Sequence, residues 1–211
     1  MDNVVESWSA DIPCASTSFI IPDGCRDLIC LERPSQAPQW FISPLQSSIH
    51  TAQQQPGSCL TGFRMHPGTA IQSANLLAQV KYLDPDEVAS SEMLSNFTAR
   101  SKNLTDALTC LARNNSIPNA ARELGVGVRS LQRLVQGQTG QPPAFWRQLA
   151  RIRDAGRQVG GDAPLADIAF DTGFSDQSHM NREFRRWFGV SPKVFSEYPR
   201  LMEQLDAAGY G

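Results

Sequence analysis

Two stretches of this chain follow one plan, 48 residues apart, and that repetition limits the fold more than any other feature of the sequence. "IPNAARELGVGVRSLQRLV" and "LADIAFDTGFSDQSHMNREF" each open with a short helical pattern carrying Ala121 or Ala169. A glycine follows four residues later (Gly125, Gly173), then an apolar residue (Val126, Phe174), then a second helical pattern carrying Arg133 or Arg182. The glycine-to-arginine distance is 8 in the first copy and 9 in the second, so the loops differ by about one residue. Alanine lets two helices approach closely, and glycine supplies the positive φ of a sharp turn. The apolar residue after the glycine is expected to lock the crossing. Together these are the sequence form of a helix-turn-helix unit, present twice.

The second copy shows what such a unit exposes. In "GFSDQSHMNREFRRWFGVSP", Met180, Phe184 and Trp187/Phe188 recur at helical spacing and line one side. Gln177, Asn181 and Arg185 form the next row, and Ser178, Arg182 and Arg186 the one beside it. The polar side is rich in hydrogen-bond donors. Between the copies, "QPPAFWRQLARIRDAGRQVGG" reads as a long helix opened by Pro142–Pro143, buried along Phe145, Leu149 and Ile152, and ended by Gly160–Gly161. About 18 residues would span roughly 27 Å, near the ~34 Å between successive major-groove openings on one face of a duplex.

Charge separates along the chain in the same sense. Residues 1–112 carry 6 Lys/Arg against 11 Asp/Glu, net −5, whereas residues 113–200 carry 13 against 8, net +5. An acidic front and a basic back point to two modules, the rear one suited to a polyanion. The first 65 or so residues read as β-rich: "STSFIIPDGCRDLICLE", "QWFISPLQSSIH" and "GSCLTGFRMHPG" are short β-branched and aromatic runs broken by Pro and Gly. In "IPDGCRD" the residues Pro22, Asp23 and Gly24 are expected to turn a hairpin. From Thr69 the pattern turns helical, through "TAIQSANLLAQVKYL", "DPDEVASSEMLSNF" and "NLTDALTCLARN". The expected fold class is α+β: a small β-rich N-terminal domain ending in helices (1–100), an all-α domain of two helix-turn-helix units joined by a long helix (101–202), and a tail (203–211).

With both copies, the connecting helix and "FRRWFGVSPKVF" in view, residues 104–200 resemble the DNA-binding domain of the AraC/XylS family of bacterial transcription regulators. "LADIAFDTGFSDQSHMNREFRRWFGVSPKVF" carries most of that resemblance, and "LGVGVRSLQRLVQGQTGQPP" resembles its first-half counterpart. The resemblance implies two second helices entering adjacent major grooves of double-stranded DNA. By that analogy Arg129, Gln132 and Arg133 read bases from the first unit. Gln177, Ser178, His179, Asn181 and Arg182 read them from the second. Arginine can donate twice to guanine, and Gln or Asn can both donate to and accept from adenine. Arg185, Arg186 and Lys193, further along or past the helix, are assigned to phosphate. "IIPDGCRDLICLE" and "LTGFRMHPGTA" resemble the N-terminal domain of a subset of the family, which implies sensing of a small-molecule effector or assembly as a homodimer. RNA polymerase is a further candidate partner.

Other chemistries find less support. Cys14, Cys25, Cys30, Cys59 and Cys110 are odd in number, irregularly spaced and without a C-x-x-C pair, so no metal is assigned and they read as thiols of a reducing cytoplasm. Nothing around Asp23, Asp27 and Glu32 forms a nucleophile–base pair, so no catalytic residue and no cofactor is assigned, and the chain is not read as an enzyme. Trp146 and Trp187 are expected in the core rather than as stacking platforms. No apolar run approaches the ~20 residues of a spanning helix, so no membrane role is assigned. Two rivals remain: a chemical-stress sensor modified at a cysteine, for which Arg26 beside Cys25 is the hint, and a protein–protein adaptor built on the same helices.

Overall fold

The computed structural model describes residues 3–114 and 116–211. Two compact units divide the chain. The first takes in the chain up to Ser18, Cys25–Leu45 and Thr51–Ser101; the second takes in Phe19–Gly24, Gln46–His50 and Lys102–Gly211. Strands come first and helices after, in the α+β order.

The strands are β1 (Val4–Ile12), β2 (Ser16–Ile20), β3 (Arg26–Glu32), β4 (Gln39–Ile42), β5 (His50–Gln54), β6 (Ser58–Met65) and β7 (Ala70–Ile71). Helices α1 (Ser73–Val80), α2 (Pro85–Ser90) and α3 (Met93–Phe97) follow, then β8 (Thr98–Ala99). One antiparallel sheet has the order β1-β6-β3-β4, while β2 pairs with β5 and β7 with β8. Period-two alternation sends Leu28, Phe63 and Met65 to one face of the four-stranded sheet, where Leu76, Val80, Val88 and Leu94 of the three short helices bury them. On the other face the Trp8 indole lies so close over Gly62 that there is no room for a Cβ there. Trp8 Nε1 donates to Asp27 Oδ2 at 3.2 Å, and Arg64 Nε donates to Asp27 Oδ1 at 3.2 Å, so the buried carboxylate of Asp27 is satisfied from two strands. The helical pattern read from Thr69 begins later, at Ser73, because Ala70–Ile71 pair with Thr98–Ala99 instead.

The second unit holds α4 (Lys102–Arg113), α5 (Ile117–Glu123), α6 (Val128–Thr139), α7 (Pro143–Gln158), α8 (Leu165–Asp171), α9 (Gln177–Phe188), α10 (Pro192–Ser196) and α11 (Pro199–Asp206). Their starts follow local chemistry. Ser116 accepts from Asn119 N at 3.3 Å, Asp176 from His179 N at 2.7 Å and Ser191 from Val194 N at 3.4 Å, while Pro143 and Pro192 occupy first turns where a missing N–H is harmless. The buried stripes are those the spacing predicts: Leu104, Leu108 and Leu111; Phe145, Leu149 and Ile152; Met180, Phe184, Trp187 and Phe188. Trp146 and Trp187 are fully enclosed, both ringed by Phe145 at 5.4 Å.

Three expectations change here. "IPDGCRD" does not turn a hairpin: β2 ends at Ile20 and pairs with β5, whereas β3 pairs with β4 and β6. Instead Pro22 and Asp23 bond to residues of the helical unit. Arg153 Nη1 donates to Pro22 O at 3.3 Å and the Tyr210 amide to Asp23 O at 2.8 Å. The helical unit therefore includes pieces of the expected N-terminal domain, Phe19–Gly24 and Gln46–His50. Nor is 203–211 an appendage, because Leu205 and Tyr210 are buried and the Tyr210 hydroxyl donates to Leu108 O at 2.7 Å. Val126, finally, does not lock its crossing: it is 43% exposed, while Phe174 in the second copy is 5% exposed.

Candidate nucleic-acid interface

The two helix pairs α5–α6 and α8–α9 turn through equivalent hydrogen bonds. In the first, Leu124 N donates to Ala120 O, Gly125 N to Arg122 O and Val126 N to Ala121 O; in the second, Thr172 N donates to Ile168 O, Gly173 N to Phe170 O and Phe174 N to Ala169 O. Gly125 and Gly173 hold φ of 66° and 77°, the left-handed region that glycine enters without strain. Ala120, Ala121, Ile168 and Ala169 are buried beneath the crossings. Helix α6 then starts at Val128 after Gly127, and α9 at Gln177 after Asp176, so the second loop holds the one extra residue. Both helices run 12 residues and end at a glycine, Gly140 and Gly189.

Aligning the two starts places Arg129 with Ser178, Gln132 with Asn181 and Arg133 with Arg182. In α6, Leu131 and Val135 face the core, while Arg129, Gln132 and Arg133 are exposed. Together with Gln136 and Gly137 these three line one open depression. Gln136 is absent from the sequence assignment although it continues the Arg129–Gln132/Arg133 row by one helical step. In α9, Gln177, Ser178, Arg182 and Arg185 are exposed, and Asn181 and His179 are half-buried.

Local bonds qualify two of these side chains. His179 stands edge-on to Phe174 at 5.3 Å, and its Nδ1 accepts from Ser175 N at 3.4 Å, so that nitrogen is occupied at the turn. Arg186 Nη1 donates to Gln148 Oε1 at 3.4 Å, pairs with Glu183 at 3.5 Å and lies 5.5 Å from the Trp187 ring, which ties it to α7 and α9. Lys193, in the first turn of α10, is exposed. Asp176 caps α9, and the His179 amide it accepts from holds its carboxyl below the usual range.

Arg151, which the sequence reading leaves without a role, joins α7 to the second turn. Its Nη1 donates to Gly173 O at 3.0 Å and its guanidinium carbon sits 4.2 Å from the Phe174 ring centroid. At the far end of α9, Ile49 N donates to Trp187 O at 2.8 Å.

The thiols give the cysteine-sensor reading little chemistry. None of the five is joined in a disulfide; Cys25, Cys30 and Cys110 are buried, and Cys14 is exposed. Burial, then the charge of Glu32, pushes the Cys30 thiol up to about 12, and burial also raises Cys59 and Cys110. A reactive thiol needs the opposite shift. Arg26, the sequence hint beside Cys25, donates its Nε to Ser43 O at 3.1 Å. In a thiol titration of the native protein at neutral pH, Cys14 is expected to react at the rate of an open thiol, with Cys30 and Cys110 reacting only on unfolding. Rapid native modification of either buried residue would restore the sensor reading. Among the described residues no cluster of three His, Cys, Asp or Glu side chains is placed to hold a metal, and no helix is long and apolar enough to cross a membrane.

Comparison with known proteins agrees with this geometry. A family model described as a helix-turn-helix domain matches residues 120–198. An AraC-like transcription regulator of Streptomyces lividans is 31% identical over 100 residues, 45% of this chain and 33% of its own length. The helical unit is thus similar in sequence to part of an AraC-like regulator. The HTH-type transcriptional regulator ExsA of Pseudomonas aeruginosa is 34% identical over 73 residues, 34% of this chain and 26% of ExsA. The matches thus span about a quarter to a third of the length of these curated relatives. Among solved structures, ToxT of Vibrio cholerae aligns over 91% of this chain and 97% of its own, at 10% identity and a TM-score of 0.48.

Proposed function

We propose that this chain is a transcription regulator that binds double-stranded DNA sequence-specifically, with α6 and α9 each entering a major groove. One observation carries the reading: two turns matched bond for bond each present an exposed row of guanidinium and amide groups while burying the opposite, apolar row. Arg129, Gln132 and Arg133 then read bases in one groove, joined by Gln136. Gln177, Ser178, Asn181 and Arg182 read them in the next, with His179 bracing the turn behind them. The β-rich unit is the place for effector sensing or for assembly of two copies, and RNA polymerase is the natural partner of a regulator so bound.

Selection of bound sequences from random duplexes with the purified protein tests this directly. The expected product is a site with two short informative blocks about one helical turn, ~10 bp, apart. No enrichment over input would overturn the reading.

Phosphate recognition makes a separate prediction. Arg185 is exposed along α9 and Lys193 opens α10, so replacing both by Ala should weaken selected and random duplexes alike. The slope of log K against log salt should fall by about 1 for each phosphate that is no longer neutralised. An unchanged slope would remove both from the interface. Arg186, held by Glu183 and Gln148, should change that slope less.

A further inference from the structure

Resting on the function just proposed, we infer that Arg151 is the positioning residue that fixes α9 on the connecting helix and thereby sets the block spacing the protein accepts. The interactions form a chain. Arg151 leaves the middle of α7, donates to the carbonyl of the turn glycine Gly173 at 3.0 Å and stacks on Phe174 at 4.2 Å. Phe174 meets His179 edge-on at 5.3 Å, and His179 lies in the first turn of α9, its amide bonded to the Asp176 cap at 2.7 Å. The clamp thus reaches the end of α9 that carries Gln177 and Ser178. Arginine suits the place because one planar group stacks and donates at once, which the point charge of lysine does not do.

Among the described residues the first unit has no such clamp. The residue 48 positions before Arg151 is Asn103, exposed on α4, and the counterpart of Phe174 is the exposed Val126. A Cβ built on Gly125 would meet nothing within 4 Å. The two heads are therefore held differently, with α6 seated by its own buried Leu131 and Val135 and α9 additionally tied to α7 through its turn. Since α7 joins the heads, loosening Arg151 releases the angle between them while leaving both reading faces intact.

The experiment measures affinity of the full chain for its selected duplex and for duplexes with one or two base pairs inserted between the blocks. An added base pair rotates the second block by about a tenth of a turn, and wild type should lose about tenfold for each, the size of a mismatch penalty. Arg151→Met should bind the selected site about tenfold more weakly yet lose less than about threefold per insertion, and Phe174→Leu should behave in the same way. Arg151→Lys, which keeps a donor for Gly173 O and loses the stack, should fall between on affinity and spacing. Should Arg151→Met fail to fold, the Lys and Leu variants carry the test. A merely structural role would lower melting temperature and affinity while preserving the wild-type spacing penalty, and that result overturns the inference. If wild type itself selects no sequence, the proposed function falls first.

Discussion

Replacing Trp146 by alanine is expected to destabilise the helical unit by about 3–5 kcal/mol, the range for deleting a large enclosed aromatic. Trp146 is 1% exposed and sits where three parts of the unit meet. Phe145 faces it at 5.4 Å and 87°, Tyr210 at 5.0 Å and 80°, both edge-on, an arrangement favourable beyond the area it buries. Its Nε1 donates to Thr139 Oγ1 at 3.1 Å at the end of α6. The Thr139 hydroxyl also donates to Val135 O at 2.7 Å, so removing the indole leaves that group bonded and the destabilisation comes mainly from the cavity. Trp146→Phe should therefore recover much of the stability, leaving a deficit of about 1–2 kcal/mol for the smaller ring and the missing N–H. Urea unfolding followed by near-ultraviolet circular dichroism measures both. A loss below about 1 kcal/mol for the alanine variant would show that the site collapses around the gap, contrary to the close packing around Trp146.

The parts of this molecule legible in its sequence are those written in local terms. The turn at Gly173 can be read because alanine, glycine and a helical stripe stand at fixed offsets, and the second copy at Gly125 makes an accident of packing an inadequate explanation. Helix stripes such as Met180–Phe184–Trp187 are readable for the same reason, since burial repeats with the helical period. What escapes depends on partners far away in the chain. Pro22, Asp23 and Gly24 have turn chemistry, but nothing local says that the carbonyls of Pro22 and Asp23 will serve Arg153 and Tyr210, more than a hundred residues on. The C-terminal residues read as a tail because a single tyrosine has no period. Val126 and Phe174 occupy equivalent positions, and the arginine that lies over Phe174 comes from α7, outside the local pattern. Arg151 itself reads as one more solvated charge on α7. Gln136 is the exception, a residue on an exposed row that is in plain sight.

Arg133 and Arg182 should together account for the largest loss of DNA discrimination available from two side chains. They occupy corresponding positions on α6 and α9, each exposed beside an amide-bearing neighbour, Gln132 or Asn181. A guanidinium that donates twice to one base contributes about 1–3 kcal/mol of discrimination, so each alanine variant should lose about five- to a hundredfold on the selected site. The residues lie on separate helices and address separate bases, so the double variant should lose close to the product of the two factors. Affinity for random duplex should fall far less, since only a weak electrostatic contribution goes with each arginine. Direction matters as much as size. Renewed selection with Arg133→Ala should blur one block and leave the other sharp, and Arg182→Ala should do the reverse, which pairs each helix with its groove. If both variants return the wild-type site, the polar rows face something other than bases. If a single variant blurs both blocks at once, the two heads are coupled through the connecting helix rather than reading independently.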